Sequence, residues 1–165
     1  MATLLVSDTS VLIDLQRGGI LHTIFQLPFD IGVPDVLFER ELKDWVGPAP
    51  EPLGLKILSL DGDGVALAQA YRSHEPRLSL PDAFALALAK IGAHILVAGD
   101  ASLRSLAAAE DVECHGVLWV FDALEQHEVI ETRALLTALL AIADHPRCRL
   151  PKAEIRLRLA RYRLA

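Results

Sequence analysis

Five short apolar runs alternate with helical stretches along this chain, and that alternation constrains the fold more than any other feature. The runs are Thr3 to Val6, Asp30 to Val33, Leu55 to Leu60, Ile95 to Val97 and a last one around Cys114 to Val117. Each is brief, carries β-branched or leucine side chains and ends at a polar or glycine-bearing turn, which is the pattern of strands buried on both faces. Between them the sequence predicts a helix over Val11 to Gln16, a break at Gly18-Gly19 and a second helical stretch over about Ile20 to Gln26. Pro34 opens the next helix, with Val36, Leu37, Leu42 and Trp45 as its apolar face, and the Gly47-Pro48-Ala49-Pro50-Glu51-Pro52 stretch ends it as a loop. Further helices follow over Val65 to about His74, behind Asp61-Gly62-Asp63-Gly64, and over Leu80-Pro81-Asp82 to about Ile91, with Gly92 as terminator. Leu103 to Ala109 is a third, and Val120 to the end is helical. Strands separated by helices pair in parallel, so the expected class is α/β, with a parallel sheet between helix layers.

At 165 residues and 52% hydrophobic content, the chain suits a single domain, 1–165, with ample core. The longest apolar run, Ala134 to Ala143, is interrupted by Thr137 and is too short to span a bilayer, so no membrane span is expected. The start lacks the basic segment and small-residue cleavage site of a signal peptide, which reads as cytoplasmic. Cys114 and Cys148 match neither a disulfide framework nor a zinc site, and the six histidines include no pair at metal-binding helical spacing. A net charge of −6 argues against nucleic acid until its distribution is considered. The segment from Asp144 onward holds seven basic residues against Asp144 and Glu154, so it carries +5 and leaves −11 on the rest. That basic segment, about 144–165, either contacts phosphates or is a solvated helix face pinned by Ile155, Leu157, Leu159 and Leu164.

Ligands of an open parallel sheet bind beyond the carboxyl ends of its strands. Asp8 follows the first run and Asp100 the fourth, so neighbouring strands would bring both to one rim. Asp82 starts the helix that leads into the fourth run and Glu39 lies on the helix entered at Pro34, so four acids can converge there. Hard oxygen ligands of this kind suit Mg²⁺ or Mn²⁺, whose charge offsets the repulsion among them. Each acid also has a structural role open to it. Asp8 and Asp100 can cap helices, Ser79-Leu80-Pro81-Asp82 can form a capping box, and Glu39 can be solvated.

Four segments carry a resemblance to the PIN-domain family, and in particular to small prokaryotic VapC-type toxins and their relatives. Val6-Ser7-Asp8-Thr9-Ser10-Val11-Leu12-Ile13 resembles the family's opening motif, and Pro34-Asp35-Val36-Leu37-Phe38-Glu39 its second. The segment Leu78 to Ala89, with Asp82, resembles the third, and Ile95 to Leu103, with Asp100, the fourth. The resemblance implies a three-layer α/β/α sandwich in which Asp8, Glu39, Asp82 and Asp100 bind the metal and Ser10 orients Asp8. Two departures matter. Ala98 stands where many members have Thr or Ser, with Ser102 as a possible substitute, and Glu41 competes with Glu39, which is preferred for its spacing from Pro34.

What the resemblance implies about activity is metal-dependent endoribonuclease chemistry on an RNA substrate, with Arg104 or the basic tail as candidates to hold it. It also implies a possible cognate antitoxin partner and a homodimer. The rival is a PIN-like module that binds RNA or protein without cutting, its acids serving as caps. Dehalogenase-like phosphatases are disfavoured because the position two after Asp8 is Ser10 rather than a second Asp. Receiver domains need paired acids at the first strand and a late lysine, neither of which is present.

Overall fold

The computed structural model describes residues 3–42, 45 and 50–165; of the expected loop, Gly47 to Ala49 lie outside these. Five strands form one all-parallel sheet in the order β3-β2-β1-β4-β5. They are β1 (Thr3–Ser7), β2 (Phe29–Pro34), β3 (Lys56–Leu58), β4 (Ile95–Val97) and β5 (Cys114–His115). The first strand in sequence is therefore the middle strand in space. It runs beside β2 with Leu5 opposite Ile31 and beside β4 with Ser7 opposite Val97. Chain order moves outward from β1 to β3, then returns to the other side of β1 with β4, so the topological switch point lies between β1 and β4.

Alternation along β1 divides the core in two. Leu5 faces α1 (Thr9–Arg17) and the three C-terminal helices, α6 (Val117–Gln126), α7 (Thr132–Asp144) and α8 (Lys152–Leu164). Val6 faces α3 (Gly62–His74), α4 (Leu80–Gly92) and α5 (Ala101–Ala109) on the opposite side. The result is an α/β/α sandwich. In α4 Ala83, Ala85, Ala87 and Ala89 are all buried, on more than one side of the helix, and such small side chains let it lie close to the sheet and to its neighbouring helices. On the other face, α1 crosses α7 at Gly18, where an added Cβ would stand 3.1 Å from the Ile142 side chain and 3.3 Å from the Ala138 carbonyl. The next residue, Gly19, turns the chain with φ +71, a conformation that favours glycine.

Several boundaries differ from the sequence expectation, each for a local reason. α3 begins at Gly62 rather than Val65, because the Asp61 carboxylate caps it by accepting from the Gly64 N–H at 2.8 Å. β3 is shorter than Leu55 to Leu60, and β5 ends at His115, after which Gly116 caps α6 from Val117. The C-terminal region is three helices rather than one stretch. α4 includes Gly92, and Ala93 takes the left-handed position at its end with φ 51. The segment after Pro34 is α-helical only over α2 (Asp35–Leu37) and continues as a wider π turn over Phe38–Leu42. Among the described residues no helix is long and apolar enough to cross a membrane.

Candidate active site

The apolar residues of β1 place Asp8 at the carboxyl end of the central strand, and its own chemistry makes it the N-cap of α1. Its Oδ1 accepts from the Val11 N–H and its Oδ2 from the Gly99 N–H, both at 2.9 Å, and the Ser10 hydroxyl lies 2.9 Å from each oxygen. The Asp8 N–H donates to the Val97 carbonyl at 2.9 Å, so Asp8 clamps β1 to β4 at the switch point. The residue is only 2% exposed. Burial pushes its carboxyl above the usual range, while hydrogen bonds from Val11, Gly99 and Ser10 pull the other way.

Asp100 caps α5 in the same manner, with Oδ1 accepting from the Leu103 N–H at 2.9 Å. Asp82 sits in the first turn of α4, where Ser79 caps the helix by accepting from the Asp82 N–H at 3.2 Å. Three helix N-termini thus carry these acids, and the positive ends of helices favour negative charge. Their mutual effect is registered at Asp82, whose pKa is pushed up to about 6 by burial first, then by the nearby carboxylates of Asp8, Asp100 and Glu41. Asp8 and Asp100 are helix caps, Asp82 lies in the turn that Ser79 caps, and the charges of Asp8 and Asp100 act on Asp82.

Glu41, not Glu39, is the acid that the segment after Pro34 brings to this rim. The Thr9 hydroxyl donates to the Glu41 carboxylate, and Glu41 acts on Asp82. Glu39 is exposed and forms no hydrogen bond or ion pair among the described residues. The preference for Glu39 assumed a regular helix, whereas the π turn adds a residue per turn and rotates the later positions.

Ser10 occupies the position expected of it, but Ser102 does not reach the acids. It lines a separate surface groove on α5 with His74, Glu75 and Ser105. Ala98 is fully buried in the α3, α4 and α5 layer and has no polar group to offer, so no hydroxyl replaces the missing one. Three participants were not foreseen: Thr9, the Gly99 N–H and Asp14. Asp14 lies on α1, raised by burial and by the Asp8 charge, with Arg17 3.6 Å away lowering it. The glycine directly before Asp100 was a usable signal, because a Cβ there would fall 2.5 Å from the Ser10 hydroxyl.

The basic tail divides by residue. Arg158 and Arg161 are structural, holding α8 to α6 through Asp122 at 2.6 and 3.0 Å, with Glu154 and Glu125 as further partners. Arg147 and Arg149 instead line a groove that includes Ser10, Gly99 and Asp100. Across Leu150 lies a second groove containing Arg104 and the stacked pair His115 and Trp119, whose rings are 4.5 Å apart and 6° from parallel.

An all-oxygen carboxylate set at a helix-capped rim fits a hard divalent cation in chemistry. Among the described residues no three acids or histidines stand close enough to hold one ion together. Magnesium commonly keeps much of its water and takes only one or two carboxylates. Asp8, Asp82, Asp100 and Glu41 are the residues that could provide them.

A doubly wound parallel sheet flanked by helices, with acids gathered at its switch point, defines a PIN-like sandwich. The chain belongs to the PIN-domain family: the DUF3368 family model, described as a PIN domain, matches residues 4–163. PIN domains are in general nucleases and usually use divalent metals. The comparison with curated proteins finds no match.

Proposed function

We propose that this PIN domain is a Mg²⁺- or Mn²⁺-dependent endoribonuclease that hydrolyses phosphodiester bonds in RNA. The observation that carries the reading is the placement of Asp8 and Asp100 just beyond the carboxyl ends of the adjacent strands β1 and β4, with Asp82 and Glu41 near enough for the charges to act on Asp82. Burial is the main cause of the rise of Asp82 to about 6 and the neighbouring carboxylates add to it, a repulsion that a bound cation would relieve. When bound, the metal supplies an activated water and positive charge for the scissile phosphate.

The side chains have distinct duties. Asp8 is the fixed ligand, immobilised by Ser10 and by two backbone N–H groups. Asp100 spends Oδ1 on its helix cap, and Oδ2 has no protein donor among the described residues. Asp82, whose carboxyl is raised to about 6 mainly by burial, would be available as a ligand at neutral pH and would lose that capacity in acid as it protonates. Glu41, tethered by Thr9, closes the rim from the β2 side.

The test is cleavage of a mixed structured RNA pool by wild type and Asp8→Asn, with Mg²⁺, with Mn²⁺ and with chelator, after both proteins are shown to be folded. Metal-dependent cutting that is lost in Asp8→Asn is the expected result. A second reading, a PIN-like scaffold that binds RNA or protein without cutting, is favoured by the satisfied hydrogen bonds of Asp8 and the apolar Ala98. Folded wild type that neither cuts nor gains stability from either metal would select it. The nuclease reading extends to a dimeric toxin restrained by an antitoxin, for which the expected sign is toxicity on expression that disappears with Asp8→Asn.

A further inference from the structure

The connection between α7 and α8, residues 145–151, adjoins the acidic rim and is fixed in shape by its own hydrogen bonds. His145 Nδ1 accepts from the Arg147 N–H at 3.1 Å, and the His145 carbonyl accepts from the Cys148 N–H at 2.9 Å. Inward and outward residues then alternate. Cys148 and Leu150 pack against the core, while Arg147 and Arg149 are exposed and line one groove. Because an apolar anchor follows each arginine, the backbone that carries both is held against the core beside the groove.

That groove has a volume of about 290 Å³ and runs from these arginines to Ser10 and Asp100, with Asp14 and Arg17 on its α1 side. Arg17 is already engaged with Asp14 at 3.6 Å. Arg147 and Arg149 form no ion pair among the described residues, unlike Arg158 and Arg161 on the following helix. Two arginines lining one groove beside an acidic rim, with no ion pair among the described residues, suit a ligand with repeated negative charge. One phosphate would lie over a cation at the acids and the next against the arginines.

We infer that Arg147 and Arg149 form a phosphate-binding subsite that holds the single-stranded RNA backbone beside the scissile phosphate. This rests on the nuclease reading for its substrate, but it concerns binding and is separable from cutting. The subsite also resolves how a chain of net charge −6 can take a polyanion: the contacts are local, on a basic loop that faces the site.

The experiment is equilibrium binding of a short fluorescent single-stranded RNA, in chelator and across a salt series, to the full chain. Wild type is compared with Arg147→Gln/Arg149→Gln and with Arg156→Gln/Arg163→Gln, which removes the same charge from exposed positions of α8. The groove variant should bind about tenfold more weakly, with its salt slope shallower by about 1.4, from roughly 0.7 per lost phosphate contact on single strands. The α8 variant should bind like wild type. Unchanged affinity and slope in the groove variant, an equal loss in the α8 variant, or no RNA binding by wild type would each overturn the subsite. Competition by an acidic peptide as strong as by unlabelled RNA would also overturn it, assigning the groove to a protein partner. RNA bound through these arginines but left uncut with Mg²⁺ and Mn²⁺ would remove the nuclease reading and leave the subsite standing.

Discussion

Neutralising Asp82 should stabilise the metal-free protein at neutral pH, even though it removes an acid from the site. In the fold, burial and the charges of Asp8, Asp100 and Glu41 raise the Asp82 pKa from 3.8 to about 6. At about 1.4 kcal/mol for each tenfold change in proton affinity, that rise is worth roughly 3 kcal/mol against the charged form. Because the carboxyl is part exposed, solvent screening reduces this to about 1–2 kcal/mol. A group whose folded pKa is raised contributes stability that is fully present below pH 3.8 and is lost as pH rises through about 6. Asp82→Asn cannot undergo that loss. Urea unfolding in chelator should therefore give wild type and variant similar stabilities near pH 4. The variant should then be ahead by about 1–2 kcal/mol at pH 7.5, equivalent to roughly 2–8 °C in melting temperature. The advantage should shrink or reverse with Mn²⁺, since a cation stabilises the wild-type carboxylate. Parallel pH profiles, or a variant less stable than wild type at pH 7.5 in chelator, would refute the idea that these carboxylates crowd one another.

Other substitutions probe the same construction. Gly99→Ala drives a Cβ to within 2.5 Å of the Ser10 hydroxyl, so it should loosen Asp8 and lower kcat/KM for RNA by about tenfold or more; wild-type kinetics would mean that Ser10 does not orient Asp8. Glu41→Gln should reduce cleavage by at least about tenfold while Glu39→Gln leaves it near wild type, and the opposite order in a cleavage assay would return Glu39 to the site. Arg158→Ala should cost about 1–3 kcal/mol in urea unfolding, because its nearly buried guanidinium joins Asp122 and Glu154, while the salt slope of RNA binding stays unchanged. A shallower salt slope in that variant would place Arg158 among the phosphate contacts instead.

Local patterns were enough to read the class of fold and most of the rim from sequence. The apolar run ending at Asp8 and the run ending at Asp100 each specify a buried strand followed by a helix cap, because short-range burial and capping act over a few residues. Asp82 could be read in the same way from Ser79-Leu80-Pro81-Asp82. The family motifs then agree with the match over residues 4–163. Turn phase was not legible. Whether Glu39 or Glu41 reaches the rim depends on a π turn flanked by the buried Leu37 and ending at the buried Leu42, and which phase such a turn takes is not written in local propensity.

What the sequence by itself determined was therefore the kind of element each segment forms and the residue that ends it, since propensity, periodicity and capping are local. Only the tertiary structure decided which ends meet. Placing β1 between β2 and β4 makes Asp8 and Asp100 neighbours across 91 residues of chain, through the Gly99 N–H. The same long-range packing sorted the basic tail, committing Arg158 and Arg161 to α6 and turning Arg147 and Arg149 toward the groove. Charge is written in the sequence, but its partner is fixed only when burial of distant apolar faces brings the helices together.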